Sequence, residues 1–161
     1  MFRGIAEADA IACVTPGDYL SSPAIEDAQQ AGRPALSSWG NGGYFEMWVN
    51  GDVDWMYPLL HEAEAELLEA TRRAPDGLRV RALTQCAREL LLAQAGDWAF
   101  LISAGSAEEY ARNRFEALME RFDRLLAQVQ SGKVDERFLK ACEQHDDIFP
   151  ELTCAAFQPG G

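Results

Sequence analysis

The sequence lacks any long hydrophobic run, and none approaches the roughly 18 residues that a membrane-spanning helix requires. The N-terminus also lacks the basic-then-apolar order of a secretory signal, because Glu7 and Asp9 interrupt it. We therefore predict a cytoplasmic protein that has no membrane partner.

Residues that bind metals are scarce and badly spaced for that purpose. The chain has two histidines, His61 and His145, and no Cys-x-x-Cys pair. The four cysteines are Cys13, Cys86, Cys142 and Cys154. We predict free thiols in a reducing compartment, no metal site and no cofactor.

Positive charge is also in deficit. The 14 Lys and Arg residues face 26 Asp and Glu residues, which gives a net charge of −12. A nucleic-acid ligand is excluded, because binding phosphates requires a basic stripe and the basic residues here are interleaved with acids. A neutral polysaccharide would not be repelled by this surface.

The familiar catalytic motifs are missing, including the nucleophile elbow, the phosphate-binding loop and His-Glu-x-x-His. His61 is followed by Glu62 but by no second histidine, so we interpret it as a helix-surface residue. Glycoside hydrolysis needs two facing carboxyl groups, and the spacing of the acids selects no such pair. We assign no catalytic residue in this chain, and 161 residues leave no room for a barrel of about 200 residues plus a second domain.

Helical periodicity dominates from residue 53 onward. It predicts long helices over about 53–73 and 78–94, and a third from a capping box at Ser106–Glu109 to a stop at Gly132. A short segment over 97–103 and a last helix over 135–144 complete the pattern. We predict an all-α fold, with an antiparallel bundle of three long helices plus shorter ones. The predicted apolar faces are Trp55, Leu59, Leu60, Ala63, Leu67 and Ala70, then Val80, Leu83, Ala87, Leu90, Leu91 and Gln94, then Phe115, Leu118, Met119, Phe122, Leu125, Leu126 and Val129.

The first thirty residues follow other patterns. Residues 2–8 favour a short helix, and residues 10–14 favour a buried strand that ends in a turn at Thr15-Pro16-Gly17. Residues 21–31 favour another short helix, with Ser22 as its N-cap. Such a strand has no sheet partner elsewhere in the sequence.

A glycine- and aromatic-rich loop precedes the long helices. Trp39 and Trp48 flank the run Gly40-Asn41-Gly42-Gly43. Indoles held on a loop suit stacking on sugar rings, with the N–H free to donate, but a tightly packed loop would use the same residues. Trp55, on the first helix, is assigned to packing.

Several blocks of the sequence resemble the C-terminal helical domain of glycoside hydrolase family 57 1,4-α-glucan branching enzymes. The first blocks are Thr15-Pro16-Gly17-Asp18-Tyr19-Leu20 and Ser37-Ser38-Trp39-Gly40-Asn41-Gly42-Gly43-Tyr44 with Trp48. The later ones are Ala87–Gln94 with Asp97-Trp98-Ala99-Phe100, and Ile148-Phe149-Pro150-Glu151. The blocks occur in family order and cover nearly the whole chain.

The resemblance implies a role in α-glucan and glycogen metabolism, in a transferase that cuts an α-1,4-glucan and rejoins it through an α-1,6 bond. It makes Trp39 and Trp48 substrate-contacting residues, and extends that role to Asp97 and Trp98. Gly96 stands where the family usually has Ser, and a glycine there could loosen the turn that aims Trp98. The nucleophile and the acid/base of the family lie in a catalytic barrel, and no position here matches them.

The resemblance also sets the expected domains and partners. Residues 1–20 are interpreted as a remnant of the end of the barrel, and residues 21–161 as the helical domain that completes the substrate cleft. The expected partners are α-1,4-glucan and a separately encoded catalytic barrel, with self-association through the exposed barrel-docking face. The alternative is a stand-alone module, either a non-catalytic α-glucan binder or a helical protein-interaction module.

Overall fold

The structure is a computed structural model that describes residues 11–23, 32–72 and 77–157. Regular structure within these ranges is helical and includes no strand, so the predicted all-α fold is confirmed. None of the helices in these ranges is long and apolar enough to span a membrane. The chain divides into two compact units, Met1–Ser37 and Ser38–Gly161.

The first unit contains helix α1, Pro16–Leu20. Thr15 caps it: its hydroxyl oxygen accepts from the Asp18 amide at 3.1 Å, and Pro16 occupies the first helical position. The predicted turn at 15–17 is thus a helix start. The strand predicted over 10–14 is wrong for residues 11–14, which are exposed and irregular, as a strand without partners would leave its backbone groups unpaired. The helix predicted over 2–8, and most of the one over 21–31, lie outside the described residues.

The described residues of the second unit form five α-helices. Three of them are long, with 16, 17 and 24 residues. The helices are α2 (Met56–Thr71), α3 (Gly77–Ala93), α4 (Gly96–Ser103), α5 (Glu108–Ser131) and α6 (Glu136–His145). Each begins and ends within a few residues of its prediction, because glycines and a proline punctuate the chain there.

The core forms mainly between α3 and α5, whose contact is the most extensive in the unit. Helix α4 also packs on α5, while α2 packs on both α3 and α5. The apolar face predicted for α5 is confirmed, because all seven of its residues are buried. Gly132 ends α5 in the left-handed conformation with φ 71°, as predicted.

Three details of the prediction are wrong. Leu59 of α2 is exposed, and so is Gln94, which lies beyond the end of α3 and donates to Glu64 at 2.5 Å. The capping box at the start of α5 does not form: Ala107 is the N-cap residue, and no side chain caps the helix. Helix α3 has no single apolar stripe, because its middle turns are buried almost all round.

A buried polar network explains how α3 can be surrounded by protein. Glu89, which has no exposed surface, accepts from Gln85 Nε2 at 2.8 Å and from Arg121 Nε at 2.9 Å. The same guanidinium donates through Nη2 to Asp146 Oδ2 at 2.7 Å, and Arg114 donates to Asp146 Oδ1 at 3.3 Å. Asp146 is the C-cap residue of α6, and its carboxylate ties the end of α6 to α5.

Candidate functional site

The glycine-rich loop folds back on itself before α2. Gly40, Gly42 and Gly43 all have φ between 73° and 83°, a backbone conformation that favours glycine. The amide of Ser38 donates to the Gly43 carbonyl at 2.8 Å, and the Ser38 hydroxyl oxygen accepts from the Phe45 amide at 2.7 Å. The loop is thereby closed at its base, and the indole of Trp39 projects from it with 71% of the residue exposed.

The loop brings Trp39 and Trp48 together, and a third ring joins them from α4. The ring centroids of Trp39 and Trp48 lie 6.3 Å apart with an interplanar angle of 60°. Phe100 lies 5.7 Å from Trp39 and 6.5 Å from Trp48, and so contacts both indoles. We call Trp39, Trp48 and Phe100 the aromatic cluster. These spacings are those of favourable aromatic pairs.

The segment that carries Trp48 is fixed by polar contacts. The hydroxyl of Tyr57 on α2 donates to the Trp48 carbonyl, and burial raises the pKa of Tyr57, which keeps the hydroxyl protonated. Asn50 Nδ2 donates to the Ser103 hydroxyl of α4 at 2.7 Å. The loop is therefore attached to α2 and α4 on either side of the indole.

The four tryptophans form two groups that differ in the hydrogen bonding of the indole N–H. Trp55 Nε1 donates to the Asp52 carbonyl at 3.0 Å, and Trp98 Nε1 donates to the Leu92 carbonyl at 2.7 Å. Within the described ranges, the indole nitrogens of Trp39 and Trp48 have no hydrogen-bond acceptor. The two groups thus differ in whether the indole N–H is used by the described part of the fold.

Trp55 has the packing role that the sequence predicted. Its ring meets that of Phe115 edge-on at a centroid distance of 5.3 Å, and the guanidinium of Arg112 lies 5.3 Å above its face. These contacts connect the start of α2 to α5.

Asp97 and Trp98 lie on the first turn of α4. Asp97 is exposed, whereas Trp98 is half-buried and pairs with Tyr110 of α5 at a centroid distance of 6.3 Å. The Trp98 indole donates to the Leu92 carbonyl, which lies before Gly96 in the chain. Phe100 lies within the Asp97–Phe100 block, but no pattern in the sequence marks it as a site residue.

The site offers aromatic faces and single polar groups rather than a catalytic pair. Within residues 11–23, 32–72 and 77–157, no three His, Cys, Asp or Glu side chains are grouped to hold a metal ion. The arrangement can stack on and hydrogen-bond to a neutral ligand with apolar faces and hydroxyl groups, which describes a sugar.

The chain matches the family model described as 1,4-alpha-glucan branching enzyme, C-terminal, over residues 59–157. This match begins after the aromatic loop and includes α3 to α6. A curated relative, 1,4-alpha-glucan branching enzyme TK1436 of Thermococcus kodakarensis, is 35% identical over 118 residues. Those residues are 70% of this chain and 18% of the relative, so the chain corresponds to under a fifth of its length.

Two crystal structures of branching enzymes contain a similar domain. The GH57-type branching enzyme of Pyrococcus horikoshii is similar with a TM-score of 0.78 and 30% identity, over 97% of this chain and 30% of that one. TK1436, crystallised with glucose and additives, is similar with a TM-score of 0.76 and 28% identity, over 94% and 28%.

An enzyme described as an α-amylase has a similar domain. AmyC of Thermotoga maritima matches with a TM-score of 0.67 and 31% identity, over 97% of this chain and 28% of its own. The family match covers more than half of the 161 residues. The chain belongs to the family of 1,4-α-glucan branching enzyme C-terminal domains.

Proposed function

We propose that this chain is the helical domain that completes the α-glucan cleft of a branching enzyme, and that the aromatic cluster binds the glucan. The observation that carries the proposal is the Trp39–Trp48 pair, with ring centroids 6.3 Å apart and neither indole N–H bonded within the described residues. Stacking on pyranose faces with a free donor at the ring edge suits a neutral polysaccharide.

Asp97 and Trp98 extend the same proposal along α4. The Asp97 carboxylate is exposed and can accept from sugar hydroxyl groups. Trp98 would contribute only a ring face, since its N–H already donates to Leu92.

The catalytic groups of the reaction are proposed to come from a partner barrel, encoded separately or as another part of a longer polypeptide. In this proposal residues 1–20 are the end of that barrel and residues 21–161 are the helical domain. The chain then contributes no nucleophile and no acid/base, and it acts by binding and positioning the glucan. The proposed compartment is the cytoplasm.

The finer architecture is proposed on the same basis. The short link between α2 and α3 favours antiparallel neighbours. Cys86 meets Phe122 and Glu89 meets Arg121, an order along α3 and α5 that fits antiparallel helices. We therefore infer an antiparallel bundle of α2, α3 and α5. The glycine- and aromatic-rich loop would lie at its N-terminal side. Exposed rings and aliphatics near that loop would form the surface that docks on the barrel, and would let the isolated chain self-associate. These residues are Tyr44, Phe45, Val49 and Tyr110.

The reaction itself is best argued from the family match, because the fold alone also occurs in AmyC. Transfer to a new α-1,6 position, rather than release to water, is the activity proposed for the complete enzyme. Combining this chain with its barrel and counting α-1,6 linkages against free reducing ends would separate the two activities. A gain in reducing ends without new branches would overturn the branching assignment.

Sugar binding by this chain can be tested directly through its own tryptophans. Titration with a linear malto-oligosaccharide should give a saturable change in fluorescence that Trp39→Ala and Trp48→Ala each abolish. Trp55→Phe is the matched control, because that indole is bonded within the fold and should not affect binding. A saturable change that survives in both alanine variants would place glucan elsewhere and contradict the proposed site. If the wild-type chain bound no malto-oligosaccharide, either alone or combined with its barrel, the alternative of a helical protein-interaction module would be favoured.

A further inference from the structure

We propose that Phe100 and Gly96 of α4 are positioning residues that hold the indoles of Trp39 and Trp48 in the mutual orientation in which they bind glucan. This inference rests on the proposed function and adds to it the residues that determine the shape of the binding surface. Neither residue needs to contact the sugar itself.

The loop that carries the two indoles does not orient them by its own backbone alone. Its 3₁₀ turn at Asn41–Gly43 follows Gly40 and contains Gly42 and Gly43, and all three glycines have positive φ. Such a backbone is permissive. The orientation of the rings must therefore come from the surface on which the loop rests.

Helix α4 is that surface, and it is firmly anchored. Ala99 and Ile102 face inward and are buried, and α4 packs along α5. Ser103, at its end, receives the hydrogen bond of Asn50 at 2.7 Å. The loop therefore rests on a helix whose own position is set by the core.

Phe100 is half-buried on this helix and lies beside both indoles. Its centroid is 5.7 Å from that of Trp39 and 6.5 Å from that of Trp48, with interplanar angles of 42° and 37°. One ring that contacts both indoles fixes each with respect to the other. Loss of that ring would remove this constraint and leave only the direct edge contact between Trp39 and Trp48.

Gly96 provides the space that Trp48 occupies. A Cβ atom at this position would lie 3.3 Å from Trp48 Nε1 and 3.7 Å from its Cδ1. The shorter distance is below ordinary van der Waals contact, so any side chain here must displace the indole. The absence of a side chain thus sets how closely the Nε1 edge of Trp48 approaches α4.

The test uses the full chain and two readouts, one without sugar and one with it. Two indoles in close contact couple their strong ultraviolet transitions and give a paired positive and negative signal in circular dichroism. Phe100→Leu should reduce this couplet and weaken malto-oligosaccharide binding by about five-fold, while Phe100→Tyr, which keeps the ring, should restore both. Phe138→Leu, the same change at a half-buried ring on α6, is the matched control and should alter neither.

Gly96→Ala is a second variant, and it leaves the Phe100 ring in place. It should keep the thermal midpoint, because alanine is the better helix former, and still shift the couplet and weaken binding. Unchanged couplets in Phe100→Leu and Gly96→Ala would overturn the proposal, and so would altered couplets with wild-type affinity. If the wild-type chain bound no glucan, the binding site would be wrong, and the couplet alone would still decide whether these residues position the indoles.

Discussion

Arg121 Nε lies 2.9 Å from the Oε2 atom of Glu89, a carboxylate with no exposed surface. Burial raises the pKa of Glu89, and the hydrogen bonds from Gln85 and Arg121 oppose that rise. The same guanidinium reaches Asp146 at 2.7 Å, so one side chain of α5 neutralises carboxylates from α3 and from the end of α6. The packing of the three helices therefore depends on the charge of Arg121 as well as on the burial of apolar side chains.

Removing this cation should strongly destabilise the fold. Arg121→Met preserves much of the volume but leaves Glu89 buried without its charged partner, so we expect the free energy of unfolding to fall by about 3 kcal/mol. Urea titration followed by helical circular dichroism measures this change. Arg72→Met is the matched control: Arg72 and Glu69 pair at 3.0 Å with side chains about 60% exposed, and its loss should cost under about 1 kcal/mol. Equal losses in the two variants would contradict the assigned role of Arg121.

Asp146 should make stability depend on acid pH. Burial alone would raise its pKa, but the hydrogen bonds of His145 and Arg114 and the charges of Arg121 and His145 outweigh burial and lower it. A lowered folded pKa means that the stabilisation is present above the unfolded value of about 3.9 and is lost as the pH falls through the folded value.

The Asp146→Asn variant isolates that contribution. Its deficit in unfolding free energy against wild type should be full at neutral pH and should shrink below about pH 4, where the wild-type carboxylate also becomes neutral. Urea unfolding at several pH values measures the difference. A deficit that stayed constant into the acid range would show that the side-chain amide is disruptive for another reason. Asp147→Asn, an exposed neighbour, should leave the pH profile unchanged.

Features defined by large apolar residues and glycines can be predicted from the sequence. Features defined by buried polar residues cannot. Helix α5 was predicted to its last residue, because large apolar side chains recur with helical spacing and Gly132 ends it. The single apolar face predicted for α3 is wrong, because periodicity cannot distinguish a buried Glu89 from a solvated one. Its partner Arg121 lies on another helix, and only the fold brings the two together.

For the candidate site too, the sequence indicates the residues with a local signal and not those that depend on tertiary packing. Trp39 and Trp48 were selected because they flank a glycine run, a local feature of the sequence. Phe100 was not selected, because its contact with them depends on the packing of α4 under the loop. Trp98 was grouped with them by resemblance, and its hydrogen bond to Leu92 became visible only in the structure.

The thiols should differ sharply in reactivity. Cys13 is exposed, whereas Cys86, Cys142 and Cys154 are buried. Burial raises the pKa of Cys142 to about 11 and that of Cys86 well above its ordinary value, so thiolate is rare at both sites at neutral pH. An aromatic disulfide reagent should therefore modify one thiol rapidly and the other three only after denaturation. Cys13→Ser should abolish the rapid phase, and a rapid phase that remained would place one of the buried thiols at the surface.

Backbone conformation alone should account for the effect of replacing Gly132. This residue caps α5 with φ 71°, and a Cβ atom there would meet nothing within 4 Å. Gly132→Ala should therefore cost about 1 kcal/mol of unfolding free energy, since the left-handed conformation is unfavourable for a residue with a Cβ. Gly51→Ala is the control, because its Cβ would also meet open space and its φ is not positive. Chemical denaturation of both variants separates the two causes: a similar loss in Gly51→Ala would mean that space or solvation, rather than φ, sets the cost. A neutral Gly132→Ala would mean that the end of α5 can relax without strain.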